Sequence, residues 1–415
     1  MKKISIQQLI WSVIIACMTM IAISSCHSRA ANENPVDESA KLLAIPALFE
    51  RKGELAKASE WQKTKEKVAE LNKKIDAKED DVKARLQIAS IYMSEARITG
   101  EHPYYYPAIL QILDGVLSID GKNFEALVYK ASVKMSQHQF AEAKTLAEKA
   151  RSVNPDNAYV YGVLVDANVE LGNYEEAVQV SDKMQALKPS LESYSRASYL
   201  REIYGDYNGA IEAMKLAVQA GLPGSEPQCW SKKTLAHLYE KTGQWKNAEI
   251  QYREILAMRP SYAFALEGLA KVAKQNKNFV EALQLLEQAS AIMPEFSFQE
   301  EMAAIYELEG NKQAAQDKYD QVIKMLKEDE ASGHIVALEM CRVYMKAGMY
   351  TKALEYAKLE YASRPLNIDV NSAMAWASYM NKEQEKATGY MKTALRTGSK
   401  DPELRERAAM IGVKG

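Results

Sequence analysis

Alanine recurs along most of this 415-residue chain at intervals of 33, 34 or 38 residues, and this period constrains the fold more than any other feature. The recurring positions are Ala143, Ala177, Ala210, Ala248, Ala282, Ala315, Ala353 and Ala387. A period of about 34 residues is the signature of stacked supersecondary units, each of which packs on its neighbours. The length alone suggests two or three domains, whereas the period argues for one continuous array.

Other residue types occupy fixed positions around each alanine and together predict a pair of helices. The glycines lie five residues before an alanine, at Gly172, Gly205, Gly243, Gly310 and Gly348. The aromatic residues lie three before it, at Phe140, Tyr174, Tyr207, Trp245, Phe279 and Tyr350. Prolines follow near the end of the unit, at Pro155, Pro189, Pro223, Pro260, Pro294 and Pro365. We predict that the glycine ends the first helix and that the aromatic residue begins the second. The alanine lies where the two helices cross most closely, and the proline ends the second helix.

These units resemble the tetratricopeptide repeat (TPR). The resemblance is clearest in residues 171–177 (Leu-Gly-Asn-Tyr-Glu-Glu-Ala) and 242–248 (Thr-Gly-Gln-Trp-Lys-Asn-Ala), and it extends over eight units in residues 124–400. A ninth, divergent unit precedes them. The resemblance implies an all-α fold, a right-handed TPR superhelical solenoid of about nine helix-turn-helix repeats over residues 82–400, with capping helices at its ends.

Five segments depart from the regular period. Residues 100–107 (Gly-Glu-His-Pro-Tyr-Tyr-Tyr-Pro) enlarge the first unit, either as an aromatic contact loop or as a loop that packs back on the end of the solenoid. The 38-residue intervals predict longer loops at 221–228 and 327–333, which either bend the superhelix or decorate one edge. Helical spacing of apolar residues predicts a divergent N-terminal helix pair over 41–81, and residues 401–415 form a C-terminal capping helix. Such caps cover the otherwise exposed faces of the terminal repeats.

The N-terminus has the layout of a secretory signal, with Met1-Lys2-Lys3 followed by an apolar run from Leu9 to Ile23. The run leads into Ile23-Ser24-Ser25-Cys26, which resembles a bacterial lipobox. That resemblance implies a lipoprotein signal peptide over residues 1–25, lipidation of Cys26 and a polar tether over residues 26–40. The alternative is an uncleaved membrane anchor, although the run is slightly short for a spanning helix of about 20 residues.

Either interpretation tethers the body of the protein to a membrane, outside the cytoplasm. His27 follows the cysteine, where an aspartate would suggest retention in the inner membrane of some bacteria. No dense acidic run follows Cys26, of the type that marks export to the cell surface in some lineages. We therefore expect a lipid-anchored protein of the cell envelope, at the outer membrane and facing the periplasm.

Composition argues against several classes of function. The net charge of −2 argues against a nucleic-acid partner. The sequence has no HExxH or CxxC motif, and its glycines lie at predicted helix ends rather than in a phosphate loop, so we expect no metal and no cofactor. Cys229 and Cys341 lie three units apart, too distant for a disulfide bond, and are predicted to be buried. We therefore predict that the chain is not an enzyme.

Binding remains, and the resemblance implies where it occurs. In TPR proteins the first helices build the concave wall, and the ligands are mostly extended peptides or partner helices. The positions expected on that wall define the predicted groove: Tyr159, Asp166, Tyr199, Glu202, Trp230, Lys233, His237, Glu240, Phe264, Lys271 and Lys274. Exposed aromatic rings among charges suit peptide recognition. The alternative is that several of these rings pack between adjacent first helices.

The repeats and the N-terminal signal together point to two functions. The first is a membrane-anchored TPR scaffold that binds a protein or peptide partner in the bacterial cell envelope. The second is an accessory or regulatory subunit of an envelope enzyme or nutrient-uptake system. An enzyme with an unrecognised site is a third hypothesis, without a motif to support it.

Overall fold

The computed structural model describes residues 44–414, which form twenty α-helices and one 3-10 turn, Gly53–Lys57. In chain order the helices are α1 Ser59–Ala77, α2 Val82–Thr99, α3 His102–Ile119, α4 Phe124–Ser136, α5 Phe140–Val153, α6 Ala158–Glu170, α7 Tyr174–Leu187, α8 Leu191–Ile203, α9 Tyr207–Ala220, α10 Glu226–Lys241, α11 Trp245–Met258, α12 Ala263–Gln275, α13 Phe279–Ile292, α14 Phe296–Leu308, α15 Lys312–Ala331, α16 Ala337–Lys346, α17 Tyr350–Ser363, α18 Ile368–Met380, α19 Gln384–Ala394 and α20 Pro402–Ile411. No strand occurs in this part of the chain.

Eighteen of these helices form nine consecutive pairs, which we number as units 1 to 9, from α2–α3 to α18–α19. The two helices of a unit pack on each other, and each second helix then packs on the first helix of the next unit. Helix α1 lies at the start of the array and α20 at its end. The predicted all-α solenoid of nine helix-turn-helix repeats is therefore confirmed.

The recurring residues occupy the predicted positions. The recurring alanines are fully buried, apart from a 3% exposure at Ala315. The six aromatic residues each begin a second helix. The five glycines between the helices have φ between +72° and +79°. In three units that lack this glycine, His138, Lys277 and Lys382 take the same left-handed conformation, because the turn requires it whichever residue is present.

The structure corrects the prediction of a helix pair over residues 41–81. Residues 44–52 are not helical, and among the described residues α1 is the only α-helix of the predicted pair. Pro46 lies in this segment, and the residue before a proline is disfavoured in helices. The hydroxyl of Tyr92 donates a hydrogen bond to the carbonyl oxygen of Pro46. The segment therefore covers unit 1 as an extended chain whose backbone is bonded by side chains of that unit.

The extra residues of unit 1 lengthen its helices instead of forming a loop. Helices α2 and α3 each have 18 residues, against 13 and 14 in unit 3. Most of residues 100–107 therefore lies within α3. The hydroxyls of Tyr104 and Tyr105 donate to the carbonyl oxygens of Ala47 and Phe49. The aromatic run does pack back on the end of the solenoid, as one of the two interpretations expected, but as helix.

The two 38-residue intervals have different structural causes. Around residues 221–228, a short coil precedes the 16-residue helix α10. Around residues 327–333, most of the extra residues extend α15 to 20 residues. The loop that follows α15 then reaches unit 2, where the backbone N–H of Ile335 donates to the carbonyl oxygen of Gln137 at 3.0 Å. The second insertion thus supplies a contact between distant parts of the chain.

The solenoid closes on itself after eleven helices. In each of units 1 to 4, the turn between the two helices contacts a loop that follows the second helix of a later unit. The turn after α2, for example, contacts the loop after α13, eleven helices further along the chain. We call these contacts the seam, which joins Glu60 to Arg259, Gly100 to Met293, 137–139 to 333–335, 170–174 to 364–368 and Arg396, and Gly205 to Gly398. Most of its hydrogen bonds join residues 194 to 199 positions apart. The seam therefore links successive turns of the superhelix.

Candidate interaction site

The solenoid surrounds a cavity of about 850 Å³ that is partly open to solvent and is lined mainly by the first helices of units 3 to 9 and by α20. Four residues of the predicted groove line this cavity: Tyr199, Glu202, His237 and Lys271. They lie in the second halves of α8, α10 and α12. Residues of units 8 and 9 line the same cavity, so the predicted track is walled on both sides in this region and stays partly open to solvent.

A second group from the predicted groove lies nearer the start of the same helices. The rings of Trp230 and Phe264 pack edge to face with centroids 6.1 Å apart. The ammonium of Lys233 lies 4.9 Å from the Trp230 centroid and 5.7 Å from the Phe264 centroid. Trp230, Lys233 and His237 follow a helical spacing of three and four residues, so they share one face of α10. The aromatic cluster and the cavity are therefore joined by a single helix face.

Trp230 is 46% exposed, so its ring can still bind a partner. Desolvation lowers the pKa of Lys233, whose ammonium sits over two aromatic rings. Phe264 also packs against Phe298 of the next first helix, with centroids 5.8 Å apart. Part of this cluster thus packs between adjacent first helices, as the alternative interpretation expected, while Trp230 keeps an open face.

Tyr159 and Asp166 lie neither on the cavity wall nor in the aromatic cluster. Asp166 accepts hydrogen bonds from Arg196 at 2.6 and 3.0 Å, which ties α6 to α8. The ring of Tyr159 packs edge to face on that of Tyr129 of α4. Tyr159 as a whole remains 42% exposed. Both residues are engaged mainly with the neighbouring first helices.

Most charges of the predicted groove are already paired. Lys241 bridges Glu202 at 2.6 Å and Asp401 at 3.1 Å, and so joins α8 and α10 to α20. Desolvation would lower the pKa of Lys241, but these two carboxylates outweigh it, so the pKa is raised. Lys271 pairs with Glu267 at 2.9 Å.

The remaining pairs are similar. Lys274 pairs with Glu301. Glu240 accepts a hydrogen bond from the hydroxyl of Tyr252 at 2.7 Å and lies 3.3 Å from Nδ1 of His237. Within the described chain, these pairs leave little free charge on the groove side of the cavity.

Sequence reasoning missed three residues on the opposite wall: Arg342 on α16, and Asp369 and Trp376 on α18. Arg342 and Trp376 occupy the same position in their units as His237 does in unit 5, and Asp369 occupies that of Trp230. Extending the positional count to the last two units would have found them. That they face Tyr199 across one cavity could not be foreseen, because it depends on closure of the superhelix.

Other sequence predictions have these outcomes. Cys229 and Cys341 are free and buried, as expected. No helix within residues 44–414 is both long and apolar enough to cross a membrane, and no acidic, histidine or cysteine cluster suited to a metal ion occurs in that range. The signal peptide, Cys26 and the tether lie outside the described residues.

Comparison with known proteins identifies the repeats. Residues 134–197 and 233–294 each match the tetratricopeptide repeat family, so the chain contains tetratricopeptide repeats. The human mitochondrial import receptor subunit TOM70 is 24% identical over 241 residues, which cover 54% of this chain and 39% of TOM70. The cellulose synthase 1 operon protein C of Komagataeibacter xylinus is 27% identical over 187 residues, 45% of this chain and 12% of that protein. The chain thus spans well under two thirds of either relative.

Among solved structures, a monomeric mutant of IFIT1 with Gppp-AAAA superposes with a TM-score of 0.50 at 15% identity. The match covers 82% of this chain and 78% of that one. At this identity, the likeness concerns the fold alone.

Proposed function

We propose that this chain is a membrane-anchored scaffold of the bacterial cell envelope that binds a segment of a partner protein along the inner face of its solenoid. The tetratricopeptide repeats support a role in protein interactions. The observation that carries the proposal is the single face of α10, which leads from the exposed Trp230 ring past Lys233 to His237 in the cavity wall. An extended segment could follow this face from the aromatic cluster into the cavity.

The charges of the inner face indicate which charged side chains the bound segment carries. Lys271 and Lys274 would not attract an acidic stretch, because each is neutralised by its own glutamate. Lys233 has no ion pair within the described residues and lies over the Trp230 ring. One acidic side chain of the partner would therefore dock at the Trp230–Lys233 cluster. Since the lysines elsewhere on this part of the face are already neutralised, a uniformly acidic ligand would find few cations there and be disfavoured.

Capture of the partner from solubilised membranes, with the full chain as bait, tests this proposal. Trp230→Ala should weaken capture about tenfold, because a large aromatic ring in an interface tends to dominate its binding energy. Glu287→Ala is the control, since Glu287 is exposed on the second helix α13. Circular dichroism should show unchanged helicity in both variants. Loss of capture in Glu287→Ala but not in Trp230→Ala would place the partner on the outer face and contradict the proposal.

The membrane anchor rests on the lipobox-like sequence that ends at Cys26. Cys26→Ala should abolish incorporation of a labelled fatty acid and leave an unprocessed precursor, because the thiol that receives the lipid is lost. Cys17→Ala is the matched control, since Cys17 would leave with the signal peptide. Label retained in the Cys26→Ala protein would exclude a lipoprotein.

A second candidate function is that of an accessory subunit for an envelope enzyme or uptake system. The similarity to a protein encoded in a cellulose synthase operon favours it. The same capture experiment separates the two candidates. Co-purification of an enzyme or transporter, released by Trp230→Ala, would support the accessory role, whereas a partner without such activity would support a scaffold alone.

A further inference from the structure

Residues 44–52, the extended segment that covers unit 1, are docked there largely through their main chain, and we call them the strap. Gln111 of α3 donates a hydrogen bond to the carbonyl oxygen of Ala44 at 2.9 Å. The ring of Tyr104 packs on that of Phe49 with centroids 5.1 Å apart, and its hydroxyl donates to the main chain two residues earlier in the strap. Both donors lie on α3, so unit 1 supplies the site on which the strap lies.

The end of the strap is tied to the next turn of the superhelix. Arg51 donates two hydrogen bonds of 2.7 Å to Glu95 of α2 and one of 3.1 Å to Glu60 of α1. The same Glu60 carboxylate accepts from Arg259, in the loop after α11, at 2.8 Å. Between Arg51 and Glu60, the turn Gly53–Lys57 packs on α13 of unit 6. The strap, this turn and Glu60 thus form one clasp that reaches from unit 1 to units 5 and 6.

A cleft of about 380 Å³ lies where the clasp meets units 5 and 6. Its walls include Leu55 from the clasp, and Arg259, Ala263 and Phe264 from the other side. Phe264 is also the residue whose ring packs on that of Trp230 in the candidate interaction site. Because its walls come from two turns of the superhelix, the cleft keeps this shape only while the clasp holds the turns together.

The clasp is built to dock or to release as a whole. Arg51 and Glu95 are 5% and 2% exposed, so partial separation would leave a buried charge without its partner. The turn Gly53–Lys57 continues directly from the strap, so it loses its support on one side once the strap has left unit 1. The two resulting states differ in contacts at unit 1 and at the cleft, which is the physical requirement for coupling between two sites.

We propose that the clasp couples the strap to the candidate interaction site, so that release of the strap from unit 1 opens the cleft and loosens the support of the Trp230–Phe264 ring pair. The strap follows the predicted tether in the sequence. Tension on the anchor, or a protein that binds the strap, would therefore act on the ring pair through the clasp. As a statement about how partner binding is regulated, this inference rests on the proposed function.

Maleimide labelling of a thiol placed in the cleft of the full chain, solubilised in detergent, tests the inference. Ala263 lines the cleft and is 3% exposed, so the thiol of an Ala263→Cys chain should react slowly while the clasp is docked. Loss of both strap donors, in Tyr104→Ala with Gln111→Ala, should speed this reaction about tenfold, a typical size for coupling between two sites. The buried thiols of Cys229 and Cys341 should stay unlabelled.

Two further variants of the Ala263→Cys chain calibrate this effect. Tyr104→Phe keeps the ring and loses only the hydroxyl that binds the strap, so it should speed the reaction by a smaller factor. Tyr356→Ala removes a half-buried ring from α17 of unit 8, which takes no part in the clasp. This control should react like the Ala263→Cys chain itself.

The same coupling must act in the reverse direction, because coupling between two sites is reciprocal. Leu48 lies half-buried in the strap, so the thiol of a Leu48→Cys chain reports whether the strap is docked. Arg259→Met removes the cation that holds Glu60 from unit 5 and should speed labelling of this thiol by a similar factor. Arg253→Met, which removes an exposed cation from α11, is the matched control and should change nothing.

Two results would overturn the inference. The first is an unchanged rate at the Ala263→Cys thiol in the Tyr104→Ala and Gln111→Ala background, when the same background speeds labelling of the Leu48→Cys thiol. The second is an unchanged rate at the Leu48→Cys thiol in Arg259→Met. If the double background also exposed the thiols of Cys229 and Cys341, it would be unfolded. Tyr104→Phe would then decide, and a rate at the cleft thiol equal to that with Tyr104 would overturn the coupling.

The labelling needs no partner, so its failure is distinct from failure of the proposed function. If the labelling showed no coupling while Trp230→Ala still released the captured partner, the proposed function would stand without this regulation. If the labelling showed coupling while Trp230→Ala retained the partner, the clasp would stand as a conformational device and the proposed binding site would fall.

Discussion

Neighbouring units and units one turn apart are held together by different chemistry. Within the array, the packing is apolar and recurs in units 2 to 9, as at the buried alanines. At the seam they are polar and differ from place to place. In unit 3, Arg364 donates to the carboxylate of Glu170, the amide of Asn367 to the carbonyl oxygen of Glu170 at 3.0 Å, and Arg396 to that of Gly172 at 2.6 Å.

The difference shows which contacts a repeat can encode. Each unit meets the next one in the same way, so one alanine position serves them all. Only units 1 to 4 meet a later turn, so identical turn positions have different surroundings. At Gly172 a Cβ atom would lie 2.3 Å from the backbone carbon of Leu366, whereas at Gly243 and Gly310 it would meet no other part of the described chain within 4 Å.

The ion pairs of the seam should contribute most to its stability. Arg364 is 5% exposed and pairs with both Glu170 and Glu360. Arg364→Met would leave these carboxylates without their cation and should lower the free energy of unfolding by about 3–5 kcal/mol. Urea unfolding measures the loss, and small-angle X-ray scattering should show a more open solenoid.

The matched control for this prediction is Arg253→Met. Arg253 pairs with Glu249 within one helix, and its side chain is 64% exposed. Its replacement should change the free energy of unfolding by less than about 1 kcal/mol. Equal losses in the two variants would mean that the seam contributes no more than a surface pair.

A pair of glycine variants separates the strain of the turn from the clash at the seam. Gly172→Ala and Gly243→Ala share a left-handed conformation, with φ of +79° and +73°, and each should pay about 1–2 kcal/mol for it. Gly172→Ala must also displace the backbone at Leu366, which should cost about 1–3 kcal/mol more. The difference between their unfolding free energies isolates the seam. A difference near zero would contradict the closed solenoid.

The apolar packing within a unit can be tested at Ala248, which is fully buried. Ala248→Leu should overpack the crossing and lower the free energy of unfolding by about 1–3 kcal/mol. Ala141→Leu, at an exposed position of α5, is the control and should be close to neutral. An unchanged free energy of unfolding for Ala248→Leu would mean that the helix register within the unit is wrong.

The smallest expected effect is a dependence on pH. Glu295 lies two residues after Met293, which is part of the seam. Desolvation raises the pKa of Glu295 to about 7 from the usual 4.5. The folded chain therefore binds this proton more tightly than the unfolded chain, so the stabilisation is complete below about pH 4.5 and is lost as the pH rises through about 7. Glu295→Gln should be more stable than the original chain by about 1–2 kcal/mol at pH 8 and equal to it at pH 4.5.

Unfolding of the Glu295→Gln and original chains in urea at both pH values measures this effect. Glu287→Gln, at an exposed position of α13, is the control. Its free energy of unfolding should differ from that of the original chain by the same small amount at both pH values. A Glu295→Gln variant whose advantage did not grow between pH 4.5 and pH 8 would contradict the raised pKa of the carboxyl.

The candidate site was predictable in part, because the positional count identifies the inward face of each first helix. This count selects Tyr199, His237 and Lys271, which lie on the cavity wall. The same count gives Tyr159, which lies outside the cavity in unit 3, and would have given Arg342 in unit 8. The count cannot tell these cases apart, since it describes one unit and its neighbours but not the units that come to lie across the axis.

Most helices, the nine units and the buried alanines follow from the sequence, because they depend on contacts between residues fewer than about forty positions apart that recur from unit to unit. Three features become visible only in the folded chain: the contact between helices eleven positions apart, the non-helical segment that covers unit 1, and the place of Arg342 on the cavity wall. Closure is the sum of small rotations over many units, and a repeat fixes each rotation only approximately. The residues that complete it, such as Arg364 and Asn367, have counterparts in one other unit each, Arg259 and Asn157, which is too few for a period to be detected.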